Sequence, residues 1–421
     1  MTRLTVRRAI AATLAVLAGV AGSALGAAPA QADPVRQYQW YLNPLKIAQA
    51  QQVTKGAGVV IAVVDSPIWS GQRDLAGQLL EGTSTNGGPA NGWGPDNADS
   101  AHGTEVATVI AGKGGGDDRM LGIAPAAKLL PVAASTGLSG TPRTISAGIR
   151  WAADHGAKVI NLSNGHNGKA TAEEVEAIRY AVSKDIVVVA GVGNTDEGMR
   201  DVIAPANIPG VIAVSGVDQN GDFWDGSASG PETVLAAPGS QMSVGSVTGT
   251  YKTAYGLAAG TSLATAIVSG VVALVRSKYP QLDAANVINR LVKTAKDNGD
   301  PGRDKYFGFG TVRPLDALTA DVPAVTENPL GAVPAAAPGA SAGPTEVPKS
   351  KADMGKVAFL IAIPVVLVLA LVVTLIVVAR SSARRRRAAA QAYPAPPPGY
   401  PPPPPPGYPP PPGNTNQWTR Q

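Results

Sequence analysis

Short apolar runs alternate with helical patterns through the middle of the chain, and this restricts the fold more than any other feature of the sequence. Residues 59–64 form an unbroken apolar run between Gly58 and Asp65, as expected of a strand buried on both faces. Similar runs occupy 128–134, 158–162, 186–190 and 211–214. Helical stretches cover 144–155 and 171–184, the second opening with Thr171 and Glu174 at capping-box spacing. Strands in alternation with helices need crossover connections, so the expected class is α/β, a parallel sheet covered by helices on both faces. Ligands of such sheets sit beyond the carboxyl ends of the strands, which makes the residues ending each run the first candidates for function.

The two ends of the chain follow different rules. Arg3, Arg7 and Arg8 precede an apolar stretch over 9–25, and Ala30-Gln31-Ala32 follows. This pattern predicts a secretory signal peptide over 1–32. An uncleaved anchor is the weaker reading, because Gly19, Gly22 and Gly26 break the run. Residues 357–379 hold 23 positions without a charge, about 34 Å of helix and enough to span a bilayer. Arg380 and the arginines at 384–387 follow at once, against Lys356 on the other side, so the C-terminus is expected in the cytoplasm. The expected layout is a signal peptide at 1–32, a globular domain at 33–320, an Ala/Pro-rich linker at 321–356, a transmembrane helix at 357–379 and a basic, Pro/Tyr-rich cytoplasmic tail at 380–421. That layout makes a single-pass plasma-membrane protein with its globular domain outside. Residues 393–413 contain fourteen prolines and repeat Pro-Pro-Gly-Tyr. They predict extended polyproline-like chain, either docking on aromatic grooves of a partner or simply solvated.

The net charge of +5 belongs to these ends. Three arginines before residue 33 and six after residue 379, with no acid among them, leave the middle at −4. A nucleic-acid partner would need a basic surface on the folded domain, and none is expected. With no cysteine, disulfides, thiolate metal sites and cysteine nucleophiles are excluded. Histidine chemistry is confined to His102, His155 and His166.

Four residues stand out, each with an ordinary reading when taken alone. Asp65 ends the first apolar run and could be a turn former. His102 opens a helical pattern and could cap it. Ser262 lies at the start of a helix whose residues 264, 267, 268, 271, 272 and 275 share an apolar face. Asn194 follows a buried strand and would by default be a turn residue. Together, in the order Asp, His, Ser with the histidine and serine each at a helix start, they match one known order of a hydrolase triad. The segments HGTEVATVIAG, GTSLATAIVSG and AGVGN, continued by PANIPGVIAVSGVDQNG, VLAAPG and YFGFGTVRPLDAL, resemble the subtilase family of serine proteases over nearly all of 40–318. The layout as a whole resembles the mycosins, membrane-anchored subtilases associated with type VII secretion in actinobacteria.

The resemblance implies a subtilisin-like fold and a membrane-tethered serine endopeptidase. Ser262 is expected to attack, His102 to act as general base, and Asp65 to orient the imidazole. The Asn194 side-chain amide and the Ser262 backbone N–H are expected to stabilise the oxyanion. Leu138, Ser139 and Gly140, with Ser163, Asn164 and Gly165, are expected to bind an extended peptide or protein substrate. Secretion components are further expected partners. No cofactor is implied, and the sequence leaves structural calcium open. His155 and His166 read as surface or cleft-rim residues.

Some positions depart from the family pattern. Pro67 stands two residues after Asp65 where glycine is common, Glu105 replaces the second histidine of HGTH, and Ala266-Ile267 replaces a frequent Pro-His. None removes a reacting atom, so altered specificity or slow turnover is expected, with a catalytically weak or inactive scaffold of a secretion complex as the alternative. Only the 26 residues 33–58 separate the expected cleavage site from the first strand, too few for a separately folded inhibitory prodomain.

Overall fold

The first apolar run becomes β1 (Val60–Asp65), in which every residue after Val60 is buried. The structure is a computed structural model describing residues 35–94, 101–136, 139–246 and 254–335. The other runs form β3 (Lys128–Ala133), β4 (Val159–Leu162), β5 (Val187–Gly191), β6 (Ile212–Val217) and β7 (Leu235–Pro238), and a two-residue edge strand, β2 (Thr83–Ser84), joins them. All seven pair in parallel, in the order β7-β6-β5-β4-β1-β3-β2. The chain leaves β1 toward one edge of the sheet and returns at β4 to build the other, so the topological switch lies between β1 and β4. Their facing carboxyl ends are the position such sheets use for ligands.

The helices are α1 (Ile47–Val53), α2 (Ala101–Ala111), α3 (Pro142–Asp154), α4 (Ala172–Ser183), α5 (Thr261–Lys278), α6 (Ala284–Thr294) and α7 (Pro314–Thr319). α4 starts where expected, with Thr171 and Glu174 bonded reciprocally. α3 starts two residues earlier than the pattern suggested, because Thr141 and Thr144 form a capping box of their own and Pro142 fits the first turn. α3 and α4 pack together on one face of the sheet, with Gly148 of α3 seated on Val64 and Val132, while α2 and α5 pack together on the other.

α5 is long and apolar enough to cross a membrane, but Thr261 to Arg276 are all buried, so here it is a core helix. The segments read as signal peptide, transmembrane helix and tail lie outside the described residues. The N-terminal stretch before β1 belongs to the domain, with Val35, Tyr41, Ile47 and Ala50 buried in the core. The start of the stretch read as linker also lies on the domain. Asn286 of α6 donates to the Val325 carbonyl at 3.0 Å and accepts from the Val325 N–H at 2.9 Å, and Asn289 donates to the Pro323 carbonyl at 3.0 Å. Two side-chain amides thus satisfy a proline-rich backbone that forms no element itself.

Candidate active site

Asp65 is the last residue of β1 and is fully buried. Its Oδ1 accepts from the Ser66 N–H at 2.6 Å and pairs with His102 Nδ1 at 2.7 Å, while its Oδ2 has no hydrogen-bond partner among the described residues. With an ionised Asp65 the Nδ1 atom must carry the proton, which leaves Nε2 as the basic nitrogen. His102 is the second residue of α2, and the helix end is pressed onto the strand end. A Cβ on Gly103 would lie 2.2 Å from the Ser66 carbonyl oxygen, and the Gly103 N–H donates to Ser66 Oγ at 2.8 Å. Only glycine permits this approach. Pro67 turns the chain into a short strand, Ile68–Trp69, paired with Trp93–Gly94, and it packs against Gly94. The loop after Asp65 is thus built around proline.

Ser262 is the second residue of α5 and is nearly buried. Its Oγ donates to the Ser163 carbonyl at 2.9 Å, and Ser163 Oγ donates back to the Ser262 carbonyl at 3.0 Å. The serine hydroxyl is therefore engaged by Ser163, and among the described residues no hydrogen bond joins it to His102, a departure from the hydrogen bond expected between nucleophile and base. The pairing continues inward: Asn161 of β4 donates to Ser163 Oγ at 2.9 Å, and Ser269 of α5 donates to Asn161 Oδ1 at 2.9 Å. Asn161 and Ser269 are fully buried, and the network ties α5 to the sheet one helical stretch below Ser262.

Asn194 follows β5 and has two ends with two uses. Its Oδ1 accepts from the Thr261 N–H at 2.9 Å and from Thr261 Oγ1 at 3.1 Å. α5 has glycine at its N-cap and no side-chain cap of its own, so Asn194 supplies an acceptor for an unpaired donor of the first turn. Because a backbone N–H can only donate, the oxygen end of the amide is fixed and the NH2 end must face the pocket beside Ser262. There Nδ2 donates to Glu197 Oε1 at 2.7 Å.

The charge around His102 is negative. Burial opposes its protonation, but the Asp65 carboxylate and its hydrogen bond, with Glu105 and Glu197, outweigh that and push the imidazole up to about 9. The Glu105 carboxyl is itself raised, first by burial, with Asp65 adding to the rise and His102 opposing it.

Ser163, Asn164 and Gly165 line the pocket next to Ser262 and Asn194. Ser139–Gly140 pairs with Ser135–Thr136 in a short antiparallel hairpin beyond β3, and Leu138 lies outside the described residues. Ala266 and Ile267 are fully buried in α5. His155 stacks on Trp151 with ring centroids 3.8 Å apart. His166 is more than a rim residue, since its Nε2 pairs with the buried Glu174 at 2.9 Å and so ties the pocket wall to the start of α4. Asn161, Ser269 and Glu197 escaped the sequence reading. Asn161 left a signal, as a polar residue inside the apolar run over 158–162.

Residues 56–310 match the sequence model of the subtilase family, peptidase S8. The chain is 32% identical over 338 residues to Mycosin-1 of Mycolicibacterium smegmatis, covering 68% of this chain and 73% of that protein. It is 38% identical over 264 residues to Subtilisin DY of Bacillus licheniformis, covering 61% and 90%. A crystal structure of MycP1 from the ESX-1 type VII secretion system superposes with a TM-score of 0.62 at 28% identity, covering 72% of this chain and 90% of that one. Sequence and fold point the same way: the chain belongs to the subtilase family, as a serine endopeptidase close to the mycosins.

Proposed function

We propose that the protein is a membrane-anchored, extracytoplasmic serine endopeptidase that works through Asp65, His102 and Ser262 and serves type VII secretion. The observation that carries the chemical reading is the 2.7 Å bond between His102 Nδ1 and the buried Asp65, which leaves Nε2 as the nitrogen able to accept a proton. In this reading Ser262 Oγ turns from the Ser163 carbonyl to His102. Its proton passes to Nε2 as Oγ bonds to the scissile carbonyl carbon, and the departing amine takes that proton to leave an acyl-enzyme. Water then repeats the sequence and releases the acid. The Asn194 amide and the Ser262 N–H stabilise the oxyanion of each tetrahedral intermediate. An extended substrate lies between Ser163–Gly165 and the segment Leu138–Gly140.

The likeness to mycosins supports the link to type VII secretion and to a peptide or protein substrate. The uncharged stretch at 357–379 and the arginines behind it support a single-pass anchor with the tail in the cytoplasm. The second reading, a protease-fold scaffold, draws on the Ser262 proton being held by Ser163. Fluorophosphonate labelling of the full-length protein separates them. Labelling that Ser262→Ala abolishes is expected; labelling that persists in the variant moves the nucleophile elsewhere, and an unlabelled but folded wild type supports the scaffold.

A further inference from the structure

Charge is unevenly placed on the domain. The middle of the chain is net acidic, yet a basic surface that the sequence did not suggest lies at the amino-terminal end of the sheet. Lys128 opens β3, Lys158 and Lys184 stand just before β4 and β5, and Lys278 closes α5. Lys55 joins them, its carbonyl accepting from the Ala126 N–H at 2.9 Å. All five are exposed, as is Arg150 near the end of α3. The fold draws these starts together: the Lys128 and Lys158 N–H groups donate to the Val59 and Val60 carbonyls, each at 2.9 Å, and Ser277 Oγ of α5 donates to the Ala57 carbonyl at 2.8 Å. The acids among them are already engaged. Asp154 accepts from Tyr180 and pairs with Lys184 at 3.9 Å, Asp185 pairs with the buried Arg276 at 2.9 Å, and Asp283 caps α6.

Three aromatic rings stand at the same end. Trp151 stacks on His155, and Tyr180 is met by Arg150 and Lys184, whose charged heads lie 5.5 and 5.2 Å from its centroid. Amphipathic rings beside basic side chains suit the headgroup layer of a bilayer. The chain itself leads here. Beyond the residues held by α6, Leu330 and Val333 pack on the core, and Arg179, the neighbour of Tyr180 in α4, donates to the Pro334 carbonyl. The described chain ends at the next residue, and the 21 residues 336–356 lead on to the uncharged stretch at 357–379. They span at most about 75 Å.

We propose that the amino-terminal end of the sheet docks on anionic phospholipid headgroups of the membrane that carries the chain. This rests on the single-pass anchor read above. Asp65 and the starts of α2 and α5 lie at the opposite end of the sheet, so docking holds the reaction centre away from the bilayer and open to substrates arriving from outside. Electrostatic attraction leads the attachment, which makes it sensitive to lipid charge and to salt.

The chain has no cysteine of its own, so Ser183→Cys at the basic end and Gln219→Cys just past β6, at the opposite end, give single labelling sites. A donor dye at each is read against an acceptor dye on lipid headgroups, with the full chain in nanodiscs of phosphatidylcholine, alone or with phosphatidylglycerol. Energy transfer from position 183 relative to position 219 is expected to rise at least twofold when phosphatidylglycerol is added, and to fall back in concentrated salt. Lys55→Glu combined with Lys158→Glu should cancel the rise while melting temperature and fluorophosphonate labelling stay near wild type. A ratio indifferent to lipid charge overturns the proposal and assigns the basic end to an acidic protein partner instead; a rise that survives the double charge reversal overturns it too. Protein that fails to enter the discs at all overturns the anchor and, with it, the docked orientation.

Discussion

Substitution of Asn194 separates the capping role seen in the structure from the oxyanion role proposed for the same side chain. Asn194→Ala removes both the pocket-facing amide and the acceptor for the Thr261 N–H and Oγ1. Loss of an oxyanion donor costs roughly 10² to 10³ in kcat, about 2.7 to 4 kcal/mol, a range measured on an asparagine of subtilisin and carried over to the proposed role of Asn194. Loss of the helix-cap acceptor costs about 1 kcal/mol, or about 2 °C in melting temperature for a domain of this size. Asn194→Asp keeps an oxygen for Thr261, and the start of a helix favours the added negative charge, but it replaces the donor with a second acceptor facing Glu197. The aspartate variant should therefore lose as much kcat as the alanine variant, or more, while melting close to wild type. Stopped-substrate kinetics and thermal melts on the same samples supply both numbers. Since the lost hydrogen bond strengthens only as charge develops, KM should hardly move. An aspartate variant with normal kcat would refute the oxyanion role, and an alanine variant with an unchanged melting point would refute the capping role.

The acid limb of kcat/KM, which reports the free enzyme, should have its midpoint above the ordinary histidine value of about 6.5, because the folded imidazole is held up to about 9 by Asp65, Glu105 and Glu197. Glu105→Gln should move the limb toward acid, and an unmoved limb would exclude Glu105 from that field. The same shift means that His102 contributes stability below about pH 6.5 and loses that contribution as pH rises through the folded value, so activity and this part of stability change in opposite directions; denaturant midpoints of wild type and His102→Ala across pH would show it. Gly103→Ala, with a Cβ 2.2 Å from the Ser66 carbonyl, should destabilise the domain by about 1 to 3 kcal/mol and slow fluorophosphonate labelling by at least tenfold, and a wild-type labelling rate would show that the α2 start can shift freely. Protease added to intact cells should release the catalytic domain by cutting between residues 336 and 356 while an epitope after Gln421 stays protected; the reverse pattern would invert the topology.

The sheet was legible in the sequence because parallel strands buried on both faces leave continuous apolar runs, as residues 59–64 and 186–190 do. β2 was not, since Thr83 and Ser84 are too few for any periodicity and pair only because β3 offers them an edge. Asp65, His102 and Ser262 could be singled out by order and by the motifs around them, and the structure joins the first two through the bond between Asp65 and His102 Nδ1. The hand-over of the Ser262 proton to Ser163 was not, because it depends on a contact between residues 99 positions apart. Nor were the two ends of Asn194 legible, since one meets α5 and the other meets Glu197. Glu105 could be recognised as a substitution, but its effect on His102 is a matter of distance and burial that spacing alone does not carry.

The buried chain Ser269, Asn161, Ser163, Ser262 bears on how this domain can change over time. α5 is apolar nearly all round, and apolar surfaces attract without direction; by themselves they would let the helix turn or slide by a fraction of a residue at little cost. Directional bonds at fixed points act as a key in a shaft and set the rotation of α5 against β4. The mass of the helix interior is then free to drift: exchanges among Val268, Val271, Val272 and Val275 for residues of similar volume can alter melting temperature while the serine keeps its place to within a rotamer. In this domain tolerance to substitution and positional accuracy are assigned to different atoms of the same helix.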